Sequence, residues 1–238
     1  MPTTERDRMT KRLEDSVAAA IPAYQAAPWI GDVVRRTLKV LPAVLVVDDG
    51  SEDDTADEAR RAGAEVVSLP TNEGKGSALR TAFELLFARG YSAVVTLDAD
   101  GQHLPEEIPV LLEAQRSGAD LILGTRDHRF GEMGTIRRIA NRTSSRIISL
   151  VAGQRISDAQ TGLRLYSRRL IEATRFPESH FDAESAVLVR CGRYGLRIAT
   201  VPVRLGPVDG RKTSHYRFWV DTLRIAASVT RARLERLR

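Results

Sequence analysis

The chain has 238 residues, of which 42% are hydrophobic and 28% charged, and its formal net charge is +5. This composition excludes a disordered, collagen-like or disulfide-stabilised protein, and the single cysteine, Cys191, suits a reducing compartment because it cannot form an internal disulfide. No stretch approaches the roughly 18 consecutive apolar residues of a transmembrane helix, so we expect a chain that does not cross a membrane.

Residues 1–14 are polar and lack the apolar region of a signal peptide, so we expect a mobile tail that is not a secretion signal. Beyond them, apolar runs that predict strands alternate with amphipathic stretches that predict helices. The predicted strands lie at 16–21, 43–47, 64–68, 93–97 and 119–123, and the predicted helices at 28–40, 54–62, 75–89 and 106–117. This alternation predicts an α/β, Rossmann-like fold with a mostly parallel central sheet flanked by helices, in which ligands bind beyond the carboxyl ends of the strands.

The second predicted strand runs into the acidic sequence VVDDGSEDDT. Asp48 and Asp49 end the strand, Gly50 permits a turn, and Ser51 or Asp53 can cap the next helix. Two carboxylates at this edge can accept hydrogen bonds from a nucleobase or ribose, or bind a cation. A structural Asp-Gly turn would also explain them, whereas a receiver domain is disfavoured because its paired aspartates follow the first strand.

The sequence VVTLDADGQH follows the fourth predicted strand and contains an Asp-x-Asp pair. In extended backbone Asp98 and Asp100 leave the chain on the same side, so their hard oxygen donors can hold Mg²⁺ or Mn²⁺. Gln102 repeats the two-residue step and can add an oxygen, and His103 is a further candidate ligand. Two competing interpretations stay open: a metal-free turn, and a haloacid-dehalogenase-type phosphatase, whose motif has Thr or Val where this chain has Gln102.

The segment NEGKGSAL at 72–79 contains glycines but lacks the spacing of a phosphate-binding P-loop. A helix that starts at Gly74 and Gly76 still favours an anion at its N-terminus, with Lys75 nearby. An ordinary glycine-rich helix start explains the segment equally well.

Beyond residue 125 the charge changes sign. Residues 1–125 carry 13 basic and 21 acidic side chains, whereas residues 126–238 carry 23 basic and 10 acidic ones, and 22 of the 23 are arginine. Because guanidinium groups suit phosphate, this half should face an anionic membrane surface or a diphosphate. Nucleic acid is disfavoured, since aromatic residues make up only 5% of the chain. Further helices are predicted at 136–152, at 183–194 and from about 217, and strands at 163–166 and 196–203.

Several motifs taken together resemble glycosyltransferase family 2. They are IPAYQ at 21–25, VVDDGSEDDT at 46–55, NEGKG at 72–76, LDADGQHLPEEI at 97–108 and GTR at 124–126. SDAQTGLRLYSRR at 157–169 resembles the subgroup that makes dolichyl-phosphate or polyprenyl-phosphate mannose or glucose. The resemblance implies a GT-A fold in a single domain over 15–238, with a nucleotide-sugar-binding half at 15–125 and a basic helical elaboration at 126–238 that faces the acceptor and the membrane.

The resemblance also implies a role for each matching residue. Asp98, Asp100 and Arg126 would act in catalysis, and the metal ligands would be Asp98, Asp100 and Gln102. Together with Lys75, the expected donor-binding positions are Pro22, Tyr24, Gln25, Asp48, Asp49 and Ala99. The expected acceptor-binding positions are Arg137, Asn141, Arg211, Lys212 and His215. Gln25 and Ala26 depart from the Asn and Glu that the family usually has there.

We therefore expect transfer of a hexose from GDP-mannose or UDP-glucose to polyprenyl phosphate, with Mg²⁺ or Mn²⁺ neutralising the leaving diphosphate. A phosphate acceptor is already ionised, whereas a soluble hydroxyl acceptor requires a base, for which Asp182 or Glu184 is the candidate. Either a helix start capped by Asp182 or a base explains that pair. A phosphatase and a non-catalytic nucleotide-sugar-binding protein are the competing hypotheses for the function.

We also expect a cytoplasmic protein that associates peripherally with the inner face of an anionic membrane. The arginine-rich sequences RRIANRTSSRIISLVAG and YRFWVDTLRIAASVTRARLERLR place apolar residues at roughly helical spacing, as interfacial helices do. The same apolar faces would also fit packing on the catalytic domain or the seam of a homodimer.

Overall fold

The computed structural model describes residues 16–125, 135–206 and 218–235, and within these ranges it describes only the backbone of 135–140 and 218–222. The seven strands are β1 (Val17–Ala23), β2 (Val44–Asp48), β3 (Glu65–Ser68), β4 (Ala93–Thr96), β5 (Leu121–Thr125), β6 (Arg164–Ser167) and β7 (Ile198–Pro202). The helices of the described residues are α1 (Ala27–Thr37), α2 (Thr55–Arg61), α3 (Lys75–Ala88), α4 (Ile108–Gln115), α5 (Thr135–Ala152), α6 (Arg168–Thr174), α7 (Ala183–Arg193) and α8 (Phe218–Leu234), with a short 3₁₀ helix at Pro105–Glu107.

The strands form one mostly parallel sheet in the order β3-β2-β1-β4-β6-β5-β7. Parallel pairs join β1 to β2 and β4, β2 to β3, and β5 to β7, whereas β6 is antiparallel to β4 and β5. β2 and β4 lie on opposite sides of β1, so the order in which strands are added to the sheet reverses at β1. Ligands of open α/β sheets bind beyond the carboxyl ends of the strands at such a reversal.

Helices cover both faces of the sheet. The strands β1, β2, β4 and β5 are almost wholly buried, as a sheet covered on both sides requires. One face packs against α3, α5, α7 and α8, and the other packs against α1, α2 and α4. Burial of these apolar side chains is the main favourable term in folding.

The predicted α/β architecture is confirmed, with shifts at a few boundaries. β1 continues through Pro22 to Ala23, although the sequence predicted an end before the proline. Helix α6 was not predicted because seven residues are too few for a clear apolar period; it starts where the Ser167 hydroxyl accepts a hydrogen bond from the Leu170 N–H at 3.1 Å. The expected tail at 1–14 lies outside the described residues. None of the helices that the structure describes is long and apolar enough to cross a membrane.

Candidate active site

A pocket of about 550 Å³ lies beyond the carboxyl ends of β1, β2 and β4. It gathers most of the residues predicted for the donor side, namely Pro22, Tyr24, Gln25, Asp49, Lys75, Asp98, Ala99 and Asp100. Asp48 does not line the pocket; its carboxylate accepts a hydrogen bond from the Ser51 N–H at 3.1 Å and stabilises the turn after β2. The predicted donor residues therefore meet in space, with Asp48 as the exception.

The Asp49 carboxylate shapes one wall of the pocket. Its two oxygens accept hydrogen bonds from the N–H groups of Glu73 and Gly74, both at 2.8 Å. Burial raises the pKa of Asp49, and the two backbone hydrogen bonds oppose that shift. Gly74 has φ +100°, and a Cβ there would lie 2.1 Å from Nδ1 of His180, so a glycine is required.

Two hydrogen bonds join the segment after β1 to the segment after β2. The Gln25 N–H donates to the Ser51 hydroxyl at 2.9 Å, and the Ala26 N–H donates to the Thr55 hydroxyl at 2.7 Å. Gln25 adopts φ +52°, which is uncommon for a residue with a side chain. Ser51, predicted as a possible helix cap, instead supports the backbone of the pocket.

Lys75 is buried between two carboxylates. Its Nζ lies 2.6 Å from Oδ1 of Asp98 and 2.8 Å from Oε2 of Glu184. Burial alone would lower the pKa of Lys75, but the two carboxylates outweigh it and raise the pKa above its usual value. The expectation was that Lys75 would serve an anion at a helix N-terminus; in the structure its charge is already compensated inside the protein.

Asp98 is confined on its other side by the loop before β6. A Cβ on Gly162 would lie 2.0 Å from Oδ2 of Asp98, so the close approach depends on glycine. The Thr96 hydroxyl donates to the carbonyl of Gly162 at 3.1 Å, and the Gly162 N–H donates to Nε2 of His103 at 3.2 Å. His103, a candidate metal ligand from the sequence, therefore positions this loop.

A buried arginine holds the remainder of the same loop. Arg164 donates to the carbonyls of Thr161, Ala159 and Glu184 at 2.7, 2.8 and 2.7 Å. Asn141 was expected to face the acceptor phosphate, but its side chain is buried and donates to Asp158 at 3.2 Å. Asn141 therefore contacts Asp158 in this loop and does not line the pocket.

The architecture and motifs agree with comparisons to known proteins. The model of the family "Glycosyl transferase family 2" matches residues 18–175. The chain belongs to glycosyl transferase family 2. The resemblance seen in the motifs is confirmed, and so is the GT-A fold.

Three members or neighbours place this glycosyltransferase among known proteins. Glycosyltransferase AglJ of Haloferax volcanii is 32% identical over 204 residues, which are 84% of this chain and 66% of that protein. Undecaprenyl-phosphate mannosyltransferase of Micrococcus luteus is 33% identical over 200 residues, which are 79% of this chain and 82% of that protein. The crystal structure of glucosyl-3-phosphoglycerate synthase from Mycobacterium tuberculosis with Mn²⁺, UDP and glucosyl-3-phosphoglycerate has a TM-score of 0.68 and 23% identity, covering 94% of this chain and 83% of that chain.

The acidic residues of the glycosyltransferase pocket have the oxygen donors that a divalent cation prefers. Among the described residues, no group of three or more His, Cys, Asp or Glu side chains is placed to hold a metal. Asp98 and Asp100 offer hard oxygens, and donor diphosphate oxygens would complete the shell of Mg²⁺ or Mn²⁺. Lys75 occupies Oδ1 of Asp98, which makes Asp100 the stronger ligand candidate. The Gln102 N–H donates to Asp100 at 3.0 Å, and its side chain does not line the pocket.

Several acceptor-side predictions fall where the structure does not describe the side chain. Arg126, Arg211, Lys212 and His215 lie outside the described residues. Arg137 lies in the first turn of α5, of which only the backbone is described.

The sequence reasoning missed several residues that line the pocket. They are Trp29, Asn72, His180, Phe181 and Arg224. Asn72 is the first residue of the NEGKG motif, so the motif could have identified it. The last three precede α7 or lie in α8, and the local sequence holds no signal that these segments approach the carboxyl ends of the first strands.

Proposed function

We propose that this family 2 glycosyltransferase moves a hexose from a nucleotide sugar to a polyprenyl phosphate. The observation that carries the proposal is the pocket that unites Asp49, Asp98 and Asp100 at the carboxyl ends of three parallel strands. Two comparisons support it: the M. luteus relative is named for mannose transfer to undecaprenyl phosphate, and the M. tuberculosis neighbour was crystallised with Mn²⁺ and UDP.

The donor would occupy the pocket with its base near the turn after β1. Tyr24 and Trp29 line this part and offer aromatic surfaces to a nucleobase. Asp100, assisted by Asp98, would hold Mg²⁺ or Mn²⁺, which neutralises charge on the leaving diphosphate. Asp98 is fixed by Lys75 and the Gly162 loop, so this carboxylate enters the reaction already positioned.

The positions of Asp182 and Glu184, the acidic pair predicted as a base, count against either of them activating a hydroxyl acceptor. Glu184 lies between Lys75 and Arg164, at 2.8 and 3.5 Å, and Asp182 accepts a hydrogen bond from the Ser228 hydroxyl. Neither carboxylate lines the pocket. A hydroxyl acceptor requires a base within hydrogen-bond reach, whereas a phosphate is already ionised.

The acceptor would bind through the arginine-rich segments of the second half of the chain. Arg126, Arg137, Arg211, Lys212 and His215 are the residues that we propose for the lipid phosphate and the donor phosphates. Arg137→Ala should raise the KM for undecaprenyl phosphate and leave nucleotide affinity unchanged, whereas Asp49→Ala should mainly weaken nucleotide affinity. An unchanged acceptor KM in Arg137→Ala would move the lipid-phosphate site elsewhere.

We propose that the protein binds reversibly to the cytoplasmic face of an anionic membrane through α5 and α8. Both helices bury one face on the domain, yet Leu150 on α5 and Leu223 on α8 remain 83% and 70% exposed. Arg142 and Arg146 are exposed on α5, eight and four residues before Leu150. Exposed apolar and basic side chains on one helix are typical of interfacial binding. Each basic group near an anionic leaflet contributes about 1 kcal/mol.

Co-sedimentation with phosphatidylglycerol vesicles tests the membrane proposal. Binding should be seen at low salt, weaken by about 0.5 M salt as charges are screened, and fall in Leu150→Asp. The absence of binding at low salt would contradict it. A concentration-dependent dimer that Leu150→Asp disrupts would assign this surface to a second copy instead.

Nucleotide binding tests the donor proposal. Isothermal titration with GDP and with UDP, each with Mn²⁺, should show affinity for one of them that Asp100→Asn largely removes. The same variant should lose about 2–4 kcal/mol of transition-state stabilisation in transfer assays. Asp57→Asn, an exposed aspartate on α2, is the matched control and should behave as wild type. Near-normal turnover of Asp100→Asn, or of wild type in EDTA, would contradict the metal assignment.

A further inference from the structure

The charges around the pocket favour Arg224 as the side chain that meets an anionic ligand. Among the described residues that line it, Asp49, Asp98 and Asp100 are acidic, and Lys75 and Arg224 are the lysine and arginine side chains. Lys75 is buried between Asp98 and Glu184, whereas the side chain of Arg224 is exposed at the pocket. A phosphate-bearing ligand in this pocket lies near these carboxylates, which repel it. The guanidinium of Arg224 can offset this repulsion because it binds phosphate oxygens.

Arg224 lies on the face of α8 that packs against the domain, at the end of this face that reaches the pocket. Arg224, Ser228, Ala232 and Glu235 are spaced four, four and three residues apart, so they lie on the same side of the helix. Ser228 and Ala232 on this side are buried, and the next turn toward the N-terminus presents Arg224.

Contacts with α7 and the residue before it fix this face. The Ser228 hydroxyl donates to Asp182, and Arg193 donates to the carbonyl of Ala232 at 2.6 Å. Arg190 donates to both carboxylate oxygens of Glu235, at 2.9 and 2.7 Å. The position of Arg224 therefore follows from an anchored helix.

We propose that Arg224 binds a phosphoryl group of a ligand in this pocket. The inference rests on the proposed function and deepens it, because it names a contact from the second half of the chain. The guanidinium matches the geometry of phosphate oxygens, and Arg224 is itself exposed and lines the pocket, so it lies where the pocket meets solvent. The phosphoryl group can come from the donor diphosphate or from the acceptor monophosphate.

Two measurements on Arg224→Gln test the proposal and distinguish the two sources. The first is isothermal titration with GDP and with UDP, each with Mn²⁺ and without acceptor. The second is the KM for undecaprenyl phosphate in sugar transfer. We expect at least a tenfold loss in one of them: weaker nucleotide binding assigns the contact to the donor, and a raised KM assigns it to the acceptor.

Two further variants separate a specific contact from general charge or folding effects. Arg60→Gln removes an exposed arginine from α2, outside the pocket and outside the two helices proposed to contact the membrane, and should stay within twofold of wild type. Arg224→Lys keeps the charge but not the planar fork and should fall between wild type and Arg224→Gln. The melting temperature without ligand should be the same for all four proteins.

The result that would overturn the inference is Arg224→Gln within twofold of an active wild type in both measurements. Equal losses in Arg224→Gln and Arg60→Gln would also overturn it, because they would indicate a general effect of charge. If wild type binds neither nucleotide and transfers no sugar, the proposed function itself fails, and the inference fails with it.

Discussion

Gly162→Ala tests whether the position of Asp98 controls activity. A Cβ at residue 162 would lie 2.0 Å from Oδ2 and 2.5 Å from Cγ of Asp98, whereas ordinary contacts begin at 3.4 Å. Either the carboxylate or the loop must therefore move by more than 1 Å. Gly162 does not have a positive φ, so alanine fits the backbone and the steric contact with Asp98 is what the substitution changes.

The expected cost follows from that displacement. A shift of about 1 Å in an active site can reduce the rate by about 100-fold, and overpacking costs about 1–3 kcal/mol of folding free energy. We expect kcat/KM for sugar transfer to fall by about two orders of magnitude, with a melting temperature lowered by about 2–4 °C for each kcal/mol. The 2.6 Å ion pair between Lys75 and Asp98 would be disturbed at the same time.

Transfer kinetics, nucleotide titration and thermal unfolding are measured together on Gly162→Ala and a control. Gly31→Ala is the control because its Cβ would lie 3.3 Å from the flexible end of Arg35 and at an ordinary contact distance of 3.7 Å from Glu58, so activity should be retained. A folded Gly162→Ala protein with kcat/KM within threefold of wild type would refute the idea that Gly162 sets the position of Asp98.

Three further predictions concern titratable side chains other than the carboxylates of the pocket. Lys75→Met should lower the free energy of unfolding by about 3 kcal/mol or more, because Asp98 and Glu184 lose the ammonium group between them. Equal stability of the variant and wild type in urea titrations would contradict this. Burial raises the pKa of the Cys191 thiol to about 12, so a thiol reagent at pH 8 should label it only after unfolding; rapid labelling of the native protein would be the opposing result. Hydrogen bonds from Arg190 lower the pKa of Glu235 below its ordinary 4.5, so the stability that this carboxylate adds is present above that pH and lost in acid. The difference in unfolding free energy between wild type and Glu235→Gln should shrink as the pH falls through that range, and a constant difference would disprove the assignment.

The sequence predicted the fold and much of the donor side of the pocket for one physical reason. Buried strands alternate with amphipathic helices, and in a parallel sheet the carboxyl ends of such strands meet at one edge. Residues that directly follow β1, β2 and β4, such as Tyr24, Asp49 and Asp98, therefore had to come together, and they line one pocket.

The remaining features depend on contacts between distant segments. The strand at 163–166 was predicted, but not its antiparallel insertion between β4 and β5, which brings Gly162 against Asp98. The pairing of Lys75 with Glu184 joins the two halves of the chain across the core. Helical periodicity in α8 identifies its buried side but does not reveal that this side leads to the pocket at Arg224.

The most direct test of the proposed function is sugar transfer by the purified protein. GDP-mannose and UDP-glucose, radiolabelled in the sugar, are each incubated with undecaprenyl phosphate and Mn²⁺, and label in the organic phase is measured after extraction. We predict that one donor transfers label to the lipid, that the product releases the sugar under mild acid as a phosphodiester-linked hexose does, and that Asp100→Asn abolishes transfer. Transfer to a soluble hydroxyl acceptor with none to the lipid phosphate, or release of free sugar alone, would contradict the proposed function.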